Sequence, residues 1–329
     1  SVIAGICLNY IFIAATSSGI IESQEQYNSV ISSSATLITW HSIFILLTAA
    51  IVSSGIHKGI GRMVKILMPM LGALLIFMVI NGILSGGFSQ ALSFLFEPDF
   101  SKVNSKTFLA AMGQAFFSLS LGMGSIMAYG AYMPKEQKIM PTSFTVASLD
   151  TLVAIFAGLA IFPIIYAFNL PLGQSEGLVF ISLLTAFNDM AFGQIVGPLF
   201  FILLSVAALS SSISLLEPGV AFVSEEGFMS RKRAAISISF IAWVLGLGTA
   251  ITYSNGQWFL IEMNFVANQV LLPLGGMFIA IFVGWFMNKK IINEEIGYVN
   301  PILFKIWRFF IKFIAPISVA IIFYNAIFG

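Results

Sequence analysis

The chain has 329 residues, 58% of them hydrophobic and 9% charged, against roughly 25% charged in an ordinary soluble domain. With 33 Phe, 14 Met and a mean hydropathy of +0.98, too few charged side chains remain to cover a soluble globule. No basic surface is present for a nucleic acid. The single Cys7 excludes an internal disulfide and a thiolate metal cluster. Two histidines, His41 and His57, leave little for a zinc site or a His-dependent hydrolase. The composition is that of a polytopic membrane protein, whose first partner is the lipid bilayer.

A hydrocarbon core about 30 Å thick needs roughly 20 apolar residues per helix. Nine stretches qualify: A (1–21), B (36–56), C (66–85), D (107–133), E (144–168), F (193–223), G (234–252), H (259–287) and I (302–328). Runs this long predict helices rather than barrel strands, so the expected class is an all-α membrane fold in a single membrane domain, 1–329. Ser1 opens directly into apolar sequence without an initiator Met or a flanking charge. The expectation is a chain that begins inside a helix of a longer protein.

Lys and Arg set the orientation. The loops B–C, D–E, F–G and H–I carry Lys58, Arg62, Lys65, Lys135, Lys138, Arg231, Lys232, Arg233, Lys289 and Lys290, and Lys305, Arg308 and Lys312 open span I on the same side. The opposite loops carry Lys102 and Lys106. That asymmetry puts the four basic loops in the cytoplasm and the C-terminus outside.

Polar residues inside the spans mark candidate sites. At the centre of span D, Ser118, Ser120, Gly122 and Gly124 weaken a helix at mid-membrane, where freed backbone groups must find partners. Either this is a small-residue packing face, or the helix is discontinuous around a binding site. Span F carries Ala207, Ser210, Ser211, Ser214 and Glu217 at steps of three and four, on one face. Their oxygens suit a hard monovalent cation, and equally suit packing. Asp150, inside span E, reads as functional because a carboxylate within a span is costly. Glu217 is placed near the cytoplasmic end, partly solvated. His41 reads as a hydrogen-bonded packing residue.

Four motifs then carry a resemblance. Gly55-Ile56-His57-Lys58-Gly59-Ile60-Gly61-Arg62 with Lys65-Ile66-Leu67-Met68-Pro69 resembles the G-I-x-K-G-I-E-R…K-x-x-M-P signature of the neurotransmitter:sodium symporter family in bacteria. Phe96-Glu97-Pro98-Asp99-Phe100 resembles its P-D-F element, Gly113 to Gly124 its unwound sixth span, and Ala207-Ala208-Leu209-Ser210-Ser211-Ser212-Ile213 its eighth-span A-G-L-[ST]-S-S-I. The likeness runs in order along essentially the whole chain.

The resemblance implies a LeuT-like fold of two inverted five-helix repeats, and sodium-coupled symport of an amino acid by alternating access. Residues 1–85 would be the remainder of the first repeat, lacking two helices and the start of the third. Residues 107–287 would be the second repeat and 302–328 an added span. Ala207, Ser210 and Ser211 match ligands of one sodium; Ser118 and Asp150 match ligands of the other. Phe117, Ser118, Ser120, Met123, Ser211 and Leu215 match the substrate pocket, and Tyr132, Glu225 and Asn264 match gate positions. Asn264 replaces a common gate aspartate. Met123 replaces a pocket aromatic with a flexible apolar wall, which points to an apolar amino acid. Ala154 stands where chloride-dependent members have serine, so chloride is not expected. The implied location is the bacterial inner membrane, and a homodimer stays open. So do a non-transporting remnant, an interaction subunit and, further off, a channel; no enzyme motif is present.

Overall fold

The computed structural model describes residues 1–16, 20–134, 136–170, 176–190, 192–296 and 301–328; Lys135, counted above, lies outside them. Every regular element among the described residues is helical. In chain order these are α1 (Val2–Thr16), α2 (Ile20–Ser32), α3 (Ser34–Ser53), α4 (Gly61–Leu84), α5 (Phe88–Phe96), α6 (Ser105–Ser118), α7 (Ser125–Ala131) and α8 (Ile139–Ala167). They continue as α9 (Leu183–Asp189), α10 (Gly193–Glu225), α11 (Arg231–Thr252), α12 (Trp258–Asn264), α13 (Leu272–Ile281), α14 (Lys289–Ile296), α15 (Pro301–Phe309) and α16 (Ala315–Phe328). π-helical turns at Phe265–Leu271 and Phe310–Ile314 join α12 to α13 and α15 to α16 without a break.

Among the described residues seven helices are long and apolar enough to cross a membrane, and they match stretches B, C, E, F, G, H and I. Stretch A is a shorter helix of 15 residues. Stretch D is two helices, α6 and α7. Helix α8 starts at Ile139, five residues before stretch E, because Pro141 sits in its first turn where no amide partner is lost. The short helices α2, α5, α9 and α14 fall between the expected stretches.

The chain divides into two compact units, Ser1–Pro98 with Val153–Leu260, and Asp99–Leu152 with Ile261–Gly329. In the first, α10 is the centre: α1, α3, α4 and α11 all pack on it, and α1 and α11 also pack on α3. Its core is aromatic. Tyr10 meets Phe180 edge-on at 4.8 Å and Phe201 at 5.0 Å, and Phe187 meets Phe200 at 5.3 Å. All five are buried, and removing any one ring costs about 3–5 kcal/mol. His41, fully buried on α3, accepts or donates through Nε2 at the Trp243 carbonyl, 3.1 Å away, while the Trp243 indole donates to Ser42 at 2.9 Å. It is the packing residue the sequence suggests. At the loop end of this unit, Tyr27 and Tyr253 both donate to the Glu176 carboxylate, Tyr27 at 3.0 Å. Burial, with that negative charge beside it, pushes the Tyr27 phenol up to about 12.

In the second unit α13 packs on α16, and α6 packs on both. The Lys312 ammonium lies 4.4 Å from the centre of the Trp285 ring, whose indole N–H donates to the Lys312 carbonyl at 3.3 Å.

Candidate functional site

The first candidate set lies on α10, in the first unit. The Ser210 hydroxyl donates to the Ala207 carbonyl at 2.8 Å and Ser214 to the Ser210 carbonyl at 3.0 Å. Ser212 turns the other way: it donates to the Leu209 carbonyl at 3.0 Å and sits 2.8 Å from Thr48 Oγ1 of α3. The stripe is thus split by function of position. Ser212 ties α10 to α3, while Ser210 and Ala207 hold two oxygens within 2.8 Å of each other. A hydroxyl that turns its hydrogen aside leaves both oxygens for one hard cation. Ser211 and Leu215, one helical turn apart, stand exposed on the same helix.

The second set lies in the second unit, at the interruption of stretch D. Regular bonding runs down to Ser120 N to Phe117 O (3.0 Å) and Leu121 N to Phe116 O (2.9 Å), and resumes with Ala128 N to Gly124 O. Between them Ser120, Gly122 and Gly124 take φ of 52°, 85° and 81°, values that L side chains rarely adopt. Gly122 is required twice over. A Cβ there would lie 2.3 Å from the Leu272 carbonyl oxygen and 2.7 Å from the Gly276 nitrogen. The opened backbone is therefore braced against the backbone of α13. The sequence left open a packing face or a discontinuous helix; the helix is discontinuous.

Ser118, the last residue of α6, donates its hydroxyl to Asp150 Oδ2 at 2.9 Å. This brings together the two residues matched to one sodium. A carboxylate, a hydroxyl and freed main-chain groups then share one end of α6. Phe117 beside them is exposed, and Ser120 and Met123 are half-buried within the opened segment. Phe117, with Gln114, Asn268 and Leu272, also lines a cavity of about 170 Å³.

The gate positions are spread out. Tyr132 follows the last residue of α7, Glu225 is the exposed last residue of α10, and Asn264 ends α12, where it accepts from Asn268. Tyr132 and Asn264 belong to the second unit, Glu225 to the first.

One expectation is corrected. Glu217 is not partly solvated; it is wholly buried, and Arg231 grips both its oxygens at 2.9 and 2.6 Å. Burial of a carboxylate demands such a partner. Arg231 itself was missed as a site residue, because in the sequence it is one cation of a basic run, Arg231–Arg233, with nothing to single it out.

With this geometry in place, comparison with known proteins is informative. A family model described as the sodium:neurotransmitter symporter family matches residues 23–329. An uncharacterized sodium-dependent transporter of Bacillus subtilis (strain 168) is 29% identical, over 99% of this chain and 76% of its own length. Another, from Haemophilus influenzae, is 31% identical over 89% of this chain and 66% of its own. A third, from Methanocaldococcus jannaschii, is 28% identical over 89% and 60%. The chain thus spans under two thirds of the length of the last two. The crystal structure of MhsT in complex with L-phenylalanine superposes with a TM-score of 0.88 at 39% identity, over 99% of this chain and 77% of that one. The fold is LeuT-like.

Proposed function

The chain belongs to the sodium:neurotransmitter symporter family, and on that premise we propose that it moves an amino acid with an apolar side chain across the bacterial inner membrane, by alternating access, together with sodium. The family is one of sodium-coupled transporters, not of enzymes. The observation that carries the reading is the Ser118–Asp150 contact at the opened end of α6. It sets an anionic and a neutral oxygen ligand beside a stretch of freed backbone. A sodium held there offers its charge to a substrate carboxylate, and the amides of the opened segment add their dipoles. Ala207, Ser210 and Ser211 take a second sodium, and binding there favours whichever state it fits better. Phe117, Ser120 and Met123 supply the apolar and small surfaces for a side chain; the structural relative with L-phenylalanine bound supports an apolar one. Ser211 and Leu215 join this pocket on the strength of the resemblance. The Asp150 carboxylate, with Ala154 in place of a serine, supports transport without chloride. The Lys and Arg distribution supports a C-terminus outside. The division into repeats at 1–85 and 107–287, with 302–328 added, is part of the same reading.

The test is uptake of labelled phenylalanine and leucine into proteoliposomes bearing the chain. Accumulation driven by an inward sodium gradient, unchanged when gluconate replaces chloride, is expected. No sodium-driven uptake, together with no effect of sodium on amino-acid binding, would return the chain to the non-transporting reading. Loss of uptake without chloride would remove the anion prediction alone.

A further inference from the structure

The second unit contains an apolar cavity that the transport reading leaves unused. It holds about 410 Å³, within the usual range for a ligand site. Met127, Val283, Trp307, Ile311, Ala315 and Val319 form most of its wall, and its only polar side chains are two serines. Trp307, Ile311, Ala315 and Val319 step by four residues along one face of α15 and α16. That face is about 18 Å long, close to the ~15 Å depth of hydrocarbon in one leaflet.

The Trp307 end is cationic. Lys305, Arg308 and Lys312 stand on the same turns. Lys312 is engaged over the Trp285 ring, but Nη1 of Arg308 is buried and has no hydrogen-bond partner among the described residues. A buried guanidinium nitrogen is costly unless an anion meets it, and a phosphate meets it well. A dry groove one leaflet deep, ending at an aromatic ring and an open guanidinium, matches one kind of molecule in both its parts.

We propose that this groove binds an anionic glycerophospholipid, with an acyl chain along the Trp307–Val319 face and the phosphate on Arg308. The Lys and Arg count places this end at the cytoplasmic leaflet. Trp307 then sits at headgroup depth, where indole rings are favoured. Ser120, Gly122 and Gly124 of the opened segment also line the groove, so the chain of the lipid backs directly onto the strained backbone.

The experiment is native mass spectrometry of the purified chain, incubated with equimolar phosphatidylglycerol and phosphatidylcholine of matched chains. Phosphatidylglycerol should be retained about fivefold over phosphatidylcholine, the ratio expected for one added cation contact. Arg308→Gln should abolish the preference while keeping lipid retention, and Ala315→Phe, which fills the groove, should lower retention of both lipids. Should Arg308→Gln not survive purification, short-chain phosphatidylglycerol decides, because it must be retained less than the long-chain form. Equal retention of the two headgroups overturns the proposal, as does a full preference in Arg308→Gln. Displacement of the lipid by glycerophosphoglycerol alone would show a phosphate site without a chain groove, and would overturn it too.

Discussion

Two helices of this chain offer oxygen atoms to a cation in opposite ways. α10 keeps its hydrogen-bond ladder intact for 33 residues and offers side chains, with Ser210 resting on the Ala207 carbonyl. Stretch D abandons its ladder between Ser118 and Ser125 and offers the backbone itself. The expense falls in different places. On α10 it is a buried charge, Glu217, which needs Arg231. In stretch D it is conformational: a serine and two glycines in left-handed backbone, at about 1–3 kcal/mol for such a non-glycine residue. An intact helix can lose a hydroxyl and keep its shape; an opened one is shaped by the residues that let it open.

The largest effect should come from breaking the ion pair. Arg231→Ala leaves Glu217 charged and buried, and should destabilise the chain by about 3 kcal/mol, the lower end for such a loss because Arg231 is 21% exposed. Replacing both partners together, Glu217→Met with Arg231→Met, should recover most of it, since an apolar pair carries no desolvation penalty. Thermal unfolding midpoints in detergent read both. Equal destabilisation by the single and double variants would mean that packing, not charge, holds α11 to α10.

Next comes the opened segment. Gly122→Ala adds a Cβ at φ 85°, 2.3 Å from a main-chain oxygen that cannot rotate away, and should cost about 2 kcal/mol or more. The matched control is Gly113→Ala, nine residues earlier on α6, where a Cβ meets nothing within 4 Å. There the substitution should stabilise the helix by up to about 1 kcal/mol. Opposite signs sharpen the contrast between regular and opened backbone; the same sign at both positions would erase it.

Much of this architecture is legible in the sequence, because long apolar runs have few alternatives in a membrane. Stretches B, C, E, F, G, H and I became helices for that reason. The opening of stretch D was legible as weakness, in Ser118 to Gly124, but not as an event, because the deciding contact comes from Leu272 and Gly276, some 150 residues on by the sequence numbering. Helix α2, Ile20–Ser32, was hidden by its polar composition, and α5, α9 and α14 by their shortness. The π-helical turns leave no trace in hydropathy, which reports burial and not register. Ser118 and Asp150 were placed together by family resemblance alone; the 32 residues between them contain a helix and a loop, and no local periodicity spans both.

The smallest effects belong to the proposed ligands themselves, and they separate the two helices most sharply. Asp150→Asn keeps the hydrogen bond to Ser118 within reach but removes the carboxylate charge. It should raise the sodium concentration for half-maximal uptake about tenfold, the scale of one charge-assisted contact. Ser210→Ala removes one neutral oxygen and should raise it about threefold, near the value of one ordinary hydrogen bond. The Ser210 hydroxyl bonds only within its own helix, an arrangement that is near neutral for helix stability. The unfolding midpoint of Ser210→Ala should therefore stay within about 0.5 kcal/mol of the parent. A weaker sodium response without lost stability would show that the hydroxyl serves the ion, whereas lost stability with an unchanged sodium response would show that α10 keeps its serines for packing.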